Sequence, residues 1–478
     1  MIERDRSLNF GSLLVGLFSF LTILAFHHLA DGDLWAKLIL GSSILDNGVL
    51  LQKDIFAFTP TLPVYIDHEW GSGLIFFTFL KFFGPSSLML LKMLLAVVAL
   101  AVAARVALRQ GCSQIVVLLL LLPAALGLLP GYVVVIRSHA FTYLFFALTL
   151  LCLEEIQRGK KWPIFAQIFI IIIWTNVHGG FVAGLGTVGV YTVVSIIRRQ
   201  HVRTMICLSL ACAAATLLNP YGIHFWETIL PAVLHKRPNV PEWGPMPFFG
   251  LDAFIGFRVL AIIALLSFAA GWHKRGSEFF PGLIMLSITV FIAIRSRRHA
   301  PFFALACLAF LGNYVECAWQ RFGKLTSKRM IPIRPAAAVL ILYAIVAIFV
   351  TIRFLPHASL QVLAPIRFYP VREADILAQS GVTGNLVLPF DWGSYAAWRL
   401  YPKIKISIDG RYEAVYPEST FQSNVAFFFK TGADWDKLLR DYRVDFIILN
   451  LKSDQVTIQD LQARGYSPVW VDENYSGL

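Results

Sequence analysis

Charge is scarce in this chain. Of its 478 residues only 15% are Asp, Glu, Lys or Arg, and 57% are hydrophobic. A soluble domain carries about 25% charged and about 45–50% apolar residues. The deficit excludes an ordinary cytosolic enzyme and a disordered protein, and leaves a polytopic membrane protein. Cysteine is also sparse. Cys112, Cys152, Cys207, Cys212, Cys307 and Cys317 lie in or beside apolar runs, with no Cys-x-x-Cys pair and no histidine cluster. That pattern excludes a zinc site and a disulfide framework. Internal repeats and low-complexity segments are missing as well. Acid is the scarcer sign, 29 Asp and Glu against 41 Lys and Arg, for a net charge of +12. In a soluble chain that surplus would suggest nucleic acid. Here the cations sit in short loops between apolar runs, where the preference of cytoplasmic loops for Lys and Arg accounts for them, and no nucleic-acid partner is expected.

A helix needs about 20 apolar residues to cross a bilayer. Candidate spans lie near 10–30, 86–104, 115–136, 139–153, 163–177, 180–197, 204–218, 254–272, 279–294, 300–317 and 335–355. The first lacks a small-residue cleavage site before Asp31, so it is expected to be a retained span rather than a removed signal peptide. Basic turns at Arg105 and Arg109, at Arg158, Lys160 and Lys161, and at Arg198, Arg199 and Arg203 mark the cytoplasmic side. Lys274 and Arg275 continue the series, as do Arg321, Lys324, Lys328, Arg329 and Arg334. The N-terminus is then cytoplasmic and everything after about residue 356 extracytoplasmic. Gly71–Phe83 is apolar enough to cross, but a crossing there would invert every later loop. A helix lying in the outer interface, or re-entering, is expected instead, with one further span as the alternative.

The expected architecture is therefore mainly α: a transmembrane bundle of about 11–12 spans over 1–355, with a first outer loop at 31–85. A small α/β extracytoplasmic domain occupies 356–478. In it Pro370–Gly381 and Trp435–Tyr442 pattern as helices, and Asn385–Pro389, Ile404–Ile408 and Val444–Leu449 as strands.

The outer corners carry the chemistry. Asp31 and Asp33 follow the first span, as a helix cap or solvated pair, or as a general base or cation ligand. His68 and Glu69 share that loop with Trp70, an interfacial anchor. His178 sits within a long apolar stretch, flanked by Asn176 and Gly179-Gly180. A helix corner explains the glycines equally well, but polar groups at membrane depth are costly and often functional. Arg137, His139, Arg295, Arg297, Arg298, His299 and the nearby Glu242-Trp243 stand where topology predicts few cations. Snorkelling to lipid headgroups is one explanation. Recognition of a lipid-linked phosphate by guanidinium forks is the other. Asp391-Trp-Gly-Ser-Tyr and Asp409-Gly-Arg411-Tyr pattern as tight turns, with acceptor or sugar binding by Trp392 and Asp409 as the less supported reading.

Asp31-x-Asp33-Leu-Trp, Gly41, Ile44, Gly48, Asp54-Ile-Phe-Ala-Phe-Thr59 and Asp67-His-Glu-Trp70 resemble the first outer loop of bacterial GT-C glycosyltransferases. The layout is similar to that of protein O-mannosyltransferases and lipid A aminoarabinose transferases. Arg137-x-His139, Trp174-x-Asn176-x-His178-Gly-Gly, Asn219-Pro-Tyr-Gly222, Arg295-x-x-Arg298-His299, Trp392-Gly-x-Tyr395 and Asp409-Gly-Arg411 resemble further motifs of a little-characterised bacterial branch. The resemblance implies transfer of a sugar from a polyprenyl-phosphate carrier to a glycan, lipid or protein acceptor at the outer face of the bacterial inner membrane. It implies that an acidic residue of the first outer loop, Asp31 or Asp33, is the base; Glu69, a second carboxylate of that loop, is the further catalytic candidate. It implies donor-phosphate binding by Arg137, His139, His178, Arg295, Arg298 and His299, in a pocket completed by His68, Asn176 and Glu242. A divalent cation stays open, because some relatives need one and others do not. A transporter of lipid-linked glycans and a catalytically inactive scaffold are the rival expectations. Fold analogy alone does not decide between them.

Overall fold

The computed structural model describes residues 2–234, 241–250, 252–271, 280–318, 335–366, 368–471 and 475–477. The basic turns at Lys274 and Arg275 and at Arg321–Arg334 fall outside these residues. The chain divides into two compact units. One comprises Met1–His28, Met89–Val133 and Ser138–Leu360; the other comprises Leu29–Leu88, Val134–Arg137 and Gln361–Leu478. The first outer loop therefore groups with the C-terminal residues, not with the helices that the sequence division at 355 assigned it to.

The first unit is helical. Each of the eleven apolar segments forms a helix: α1 (Ile2–Phe26), then, after two helices of the second unit, Ser86–Arg109, Gln114–Leu128, His139–Gln157, Trp162–Val177, Phe181–Arg198, Val202–Ala215, Ile255–Gly271, Phe280–Arg295, Ala300–Phe310 and Pro335–Phe354. Among the described residues four helices are long and apolar enough to cross a membrane: Ser86–Arg109, Gln114–Tyr132, His139–Gln157 and Phe181–Arg198. A bent pair, Arg297–Phe310 with Gly312–Ala318, makes a fifth if it is one span. Every residue of Ala300–Phe310 is buried. A helix apolar on all sides has no face to give to solvent, so it becomes the core on which others pack. It packs against Gln114–Leu128, Phe280–Arg295, Ile255–Gly271 and His139–Gln157. Backbone amides in lipid must be satisfied within the segment, which is why these runs fold as helices.

The second unit starts with α2 (Gly32–Asn47) and α3 (Trp70–Phe83). The sequence offered α2 only as a helix that the Asp31-x-Asp33 pair would cap, one of two alternatives and without bounds; the cap at Asp31 is the one observed. Gly48, at φ +67°, ends it with its N–H on Ile44 and Ser43 carbonyls. Gly41 lies so close to α3 that a Cβ there would meet the Gly73 carbonyl oxygen at 2.1 Å. At about 1.5 Å per residue, the 14 residues of α3 span about 21 Å. A five-stranded sheet follows, with strands β1 (Gly384–Val387), β2 (Ile404–Ile406), β3 (Phe446–Asn450), β4 (Trp470–Val471) and β5 (Tyr475–Gly477) in the order β2-β1-β3-β5-β4. β1 pairs in parallel with β2 and β3, and β5 antiparallel with β3 and β4. Helices Val371–Ser380, Gly393–Leu400 and Glu418–Phe429 lie in the same stretch of chain. The core under the sheet is Val387, Phe427, Phe428, Leu438, Ile447, Leu449, Val456 and Leu461.

Asp54–Thr59 of the first loop joins this sheet. Ala57 pairs in parallel with Ile406. The Phe58 amide donates to the Ile406 carbonyl, and the Ile406 amide to the Phe56 carbonyl, both at 3.0 Å. The Asp54 carboxylate accepts from the Phe56 and Ala57 amides and pairs at 2.6 Å with Arg411, which Asp409 holds from the other side at 2.7 Å. All three side chains are buried. Asp409 and the buried Trp392 are thus parts of the fold's interior, not ligand-binding groups.

Candidate active site

In the second unit the backbone brings residues 29–37, 65–69 and 134–137 together. Leu29 accepts a hydrogen bond from the Val135 amide at 3.0 Å, and Ala30 donates to the Leu363 carbonyl at 2.9 Å. This pairing carries Arg137 to the start of α2. Asp31 caps that helix: its backbone is extended, and its side chain accepts from the Leu34 amide at 3.3 Å. The Arg137 Nε contacts Asp31 directly and lies 3.3 Å from Asp33. Arg137, expected among the phosphate ligands, is therefore shared between two carboxylates.

Lys37, one turn beyond Asp33, was not singled out by sequence. Its Nζ lies 2.9 Å from Asp67 and 3.0 Å from Glu69. The Asp67 carboxylate also accepts from the Glu69 amide at 3.0 Å. Burial alone would lower the Lys37 ammonium, but Asp67 and Glu69 raise it well above its ordinary range, so it stays charged. Glu69 is committed to this clamp and lies 3.7 Å from His68. It is not an open base.

Asp33 differs from its neighbours. Its side chain is 57% exposed, against 17% for Asp31 and 17% for Glu69. Crowding by the protein, and next the charge of Asp31, push its carboxyl up to about 6 against the pull of Arg137. A carboxyl both hemmed in and open on one side is accessible to a ligand, and its proton affinity suits base chemistry near neutrality. Trp35, Tyr369 and Tyr395 pack edge to face or tilted behind it, with centroids 5.2–6.3 Å apart. Among the described residues no group of three His, Cys, Asp or Glu side chains is placed to hold a metal ion.

In the first unit three of the remaining candidates, His178, His139 and His299, lie along one continuous ring array. Centroid separations are 6.3 Å for His178–His139, 5.5 Å for His139–Tyr143 and 5.7 Å for Tyr143–Phe302. They are 6.1 Å for Phe302–His299 and 6.5 Å for His299–Trp243. Arg298 stacks over Trp243 at 4.1 Å and lies 3.7 Å from Glu242. Arg297 anchors that loop by donating to the Pro241 carbonyl at 2.6 Å. Arg295 is exposed at the end of its helix. Asn176 ties its helix to the Leu218 carbonyl at 2.9 Å, a structural role. Asn219 closes the Asn-Pro-Tyr-Gly turn on the Tyr221 amide at 2.8 Å.

No protein-family model matches the chain, and no curated protein sequence does. Solved structures do. The oligosaccharyltransferase of Archaeoglobus fulgidus, crystallised with a tethered acceptor peptide containing an NVT sequon, is similar over 93% of this chain and 69% of its own. The TM-score is 0.57 at 10% identity. Arabinofuranosyltransferase AftD from mycobacteria is similar over 94% of this chain, with a TM-score of 0.54 at 14% identity. The chain shares the fold of these two glycosyltransferases. The chain spans about a third of AftD, 35% of its length. The GT-C likeness runs through nearly the whole chain, as the sequence resemblance implied, and at these identities it establishes architecture alone.

Proposed function

We propose that this GT-C chain is a multi-pass membrane glycosyltransferase that moves a sugar from a polyprenyl-phosphate donor to an acceptor hydroxyl at the outer face of a bacterial inner membrane. The observation that carries the reading is Asp33: of the three acidic candidates in the first loop it has the most exposed side chain, and its carboxyl is raised to about 6. Asp33 takes the acceptor proton as the acceptor oxygen bonds to the anomeric carbon. The bond from that carbon to the carrier phosphate breaks on the opposite side, and the phosphate leaves with the bonding electrons, inverting the centre. Arg137 and Asp31 act as positioning residues for Asp33. In the first unit, Arg295, Arg298, His299 and His178 are the candidates to bind a phosphate oxyanion.

The test uses purified full-length protein in nanodiscs, a labelled polyprenyl-phosphate-sugar pool and a cell-envelope extract. Transfer of label is expected from the wild type and a loss of at least about a hundredfold from Asp33→Asn, the usual scale for removing a general base. Full activity in the Asp31→Asn, Asp33→Asn double variant would refute the assignment.

A further inference from the structure

The Trp174-x-x-x-His178-Gly-Gly segment contains a hydrogen-bond chain that fixes the chemistry of one imidazole. The Gly180 backbone amide donates to His178 Nδ1 at 2.8 Å. A backbone N–H cannot reverse its role, so Nδ1 must be the acceptor, and the ring proton must sit on Nε2. Thr142 Oγ1, from the preceding helix, lies 2.7 Å from the same Nδ1. The Trp174 indole N–H, on a fully buried side chain, donates to Thr142 Oγ1 at 2.8 Å. Because Nδ1 is an acceptor, the Thr142 hydroxyl can bond to it only by donating, while its oxygen accepts from the indole. Two donors therefore face one imidazole nitrogen.

The close approach is built in. A Cβ on residue 180 would meet Thr142 Oγ1 at 2.3 Å and His178 Nδ1 at 2.7 Å. A Cβ on residue 184 would meet the Trp174 ring at 2.5 Å. The glycines of this segment keep room for the relay.

We infer that Thr142, backed by Trp174 and Gly180, is a positioning residue that locks His178 as an Nε2–H donor for a ligand oxyanion. An imidazole so locked cannot serve as a base through Nδ1; its one ring hydrogen is on Nε2. His139 is fixed in the same tautomer, because its Nε2 lies 2.8 Å from the Gly131 carbonyl, which can only accept, and its ring hydrogen is spent there. The ligand chemistry that suits the His178 donor is a phosphate oxygen. This last step rests on the transferase reading above; the tautomer assignment does not.

The experiment is nitrogen-proton NMR of the full chain, labelled with ¹⁵N-histidine and held in nanodiscs with or without a polyprenyl phosphate. His178, assigned by loss of its signal in His178→Gln, is expected as the Nε2–H tautomer, with its Nε2 resonance shifting on addition of the phosphate lipid. Thr142→Ser keeps the hydroxyl and should preserve both. Thr142→Val, which leaves the Gly180 amide in place, should keep the Nε2–H tautomer but bind the phosphate lipid about tenfold more weakly, the scale of one hydrogen bond. An Nδ1–H tautomer in the wild type overturns the lock, and an unchanged affinity in Thr142→Val overturns the positioning role of Thr142. A locked tautomer whose Nε2 ignores the phosphate lipid overturns the oxyanion role. A shift without label transfer leaves this inference standing and refutes the transferase reading instead.

Discussion

Removing the guanidinium beside Asp33 is the sharpest perturbation of the proposed base. Arg137→Gln keeps a polar side chain of similar reach and deletes the charge whose Nε lies 3.3 Å from the Asp33 carboxylate. Across 3.3 Å two unit charges attract by about 1.3 kcal/mol at the dielectric of water and by about 5 kcal/mol at an effective dielectric of about 20. With 57% of the Asp33 side chain open to solvent, the lower figure governs. About 1.4 kcal/mol corresponds to a tenfold change in proton affinity. Arg137 favours the ionised carboxylate, so its loss must raise the proton affinity of Asp33 further. A base works only when ionised. The wild-type kcat/KM should therefore rise with pH through about 6 and level off. In Arg137→Gln the rising limb should move up by about one pH unit, with the plateau reached only on the alkaline side. The assay is label transfer in nanodiscs from pH 4.5 to 9, at low donor concentration so that kcat/KM is read directly. A limb that stays in place, or moves to lower pH, would mean that Asp33 is not the titrating base. A limb that stays while the KM for donor rises would return Arg137 to phosphate binding.

Asp33→Asn should melt higher than the wild type at pH 8 and no higher at pH 4: a carboxyl raised to about 6 destabilises the folded state only once ionised, so the penalty grows as pH rises from about 4 to about 6 and is constant above. Arg411→Met should destabilise the protein by roughly 3–5 kcal/mol, because Asp54 and Asp409 are left buried without their cation; chemical denaturation in detergent checks it, and a loss under about 1 kcal/mol would contradict the pairing. Gly41→Ala should cost about 1–3 kcal/mol by pushing α2 from α3, since the new methyl meets Gly73 backbone rather than a movable side chain. An unchanged melting temperature in that variant would argue against the tight helix pair.

The apolar helices were legible from composition because each is a local decision: a run of Leu, Ile, Val and Phe in lipid has helix as its only way to satisfy the backbone. The strands at 384–387, 404–406 and 446–450 were legible for a similar reason, short apolar runs bounded by Gly, Pro or Asn. The site was legible in its residue types but not in its pairings. Asp31, Asp33 and Glu69 look alike in sequence, and only their partners separate them. Asp31 has a helix N-terminus and Arg137, Glu69 has Lys37, and Asp33 keeps an open side. Lys37 carried a weak signal, lying four residues after Asp33, which is one helical turn. Thr142 carried none, since nothing marks a threonine in an apolar helix as the partner of a histidine beyond the next turn. α2 was legible only at its start, from the capping pair, because its mixed polar and apolar residues neither fill a membrane span nor alternate as a strand.

The bridging of Asp54–Thr59 to the edge of the sheet at Ile406 has a consequence for biosynthesis. Its edge partners are encoded far downstream: Thr59 bonds to the carbonyl of Ser407, 348 positions later. At about 5–20 residues per second, that early segment emerges roughly 20–70 s before the chain that completes it exists. Through that interval its amides and the Asp54 carboxylate await the guanidinium of Arg411, while helix after helix is inserted. Nascent chains stalled or truncated before residue 404 should therefore be the aggregation-prone and protease-sensitive species, however well their membrane segments have been threaded.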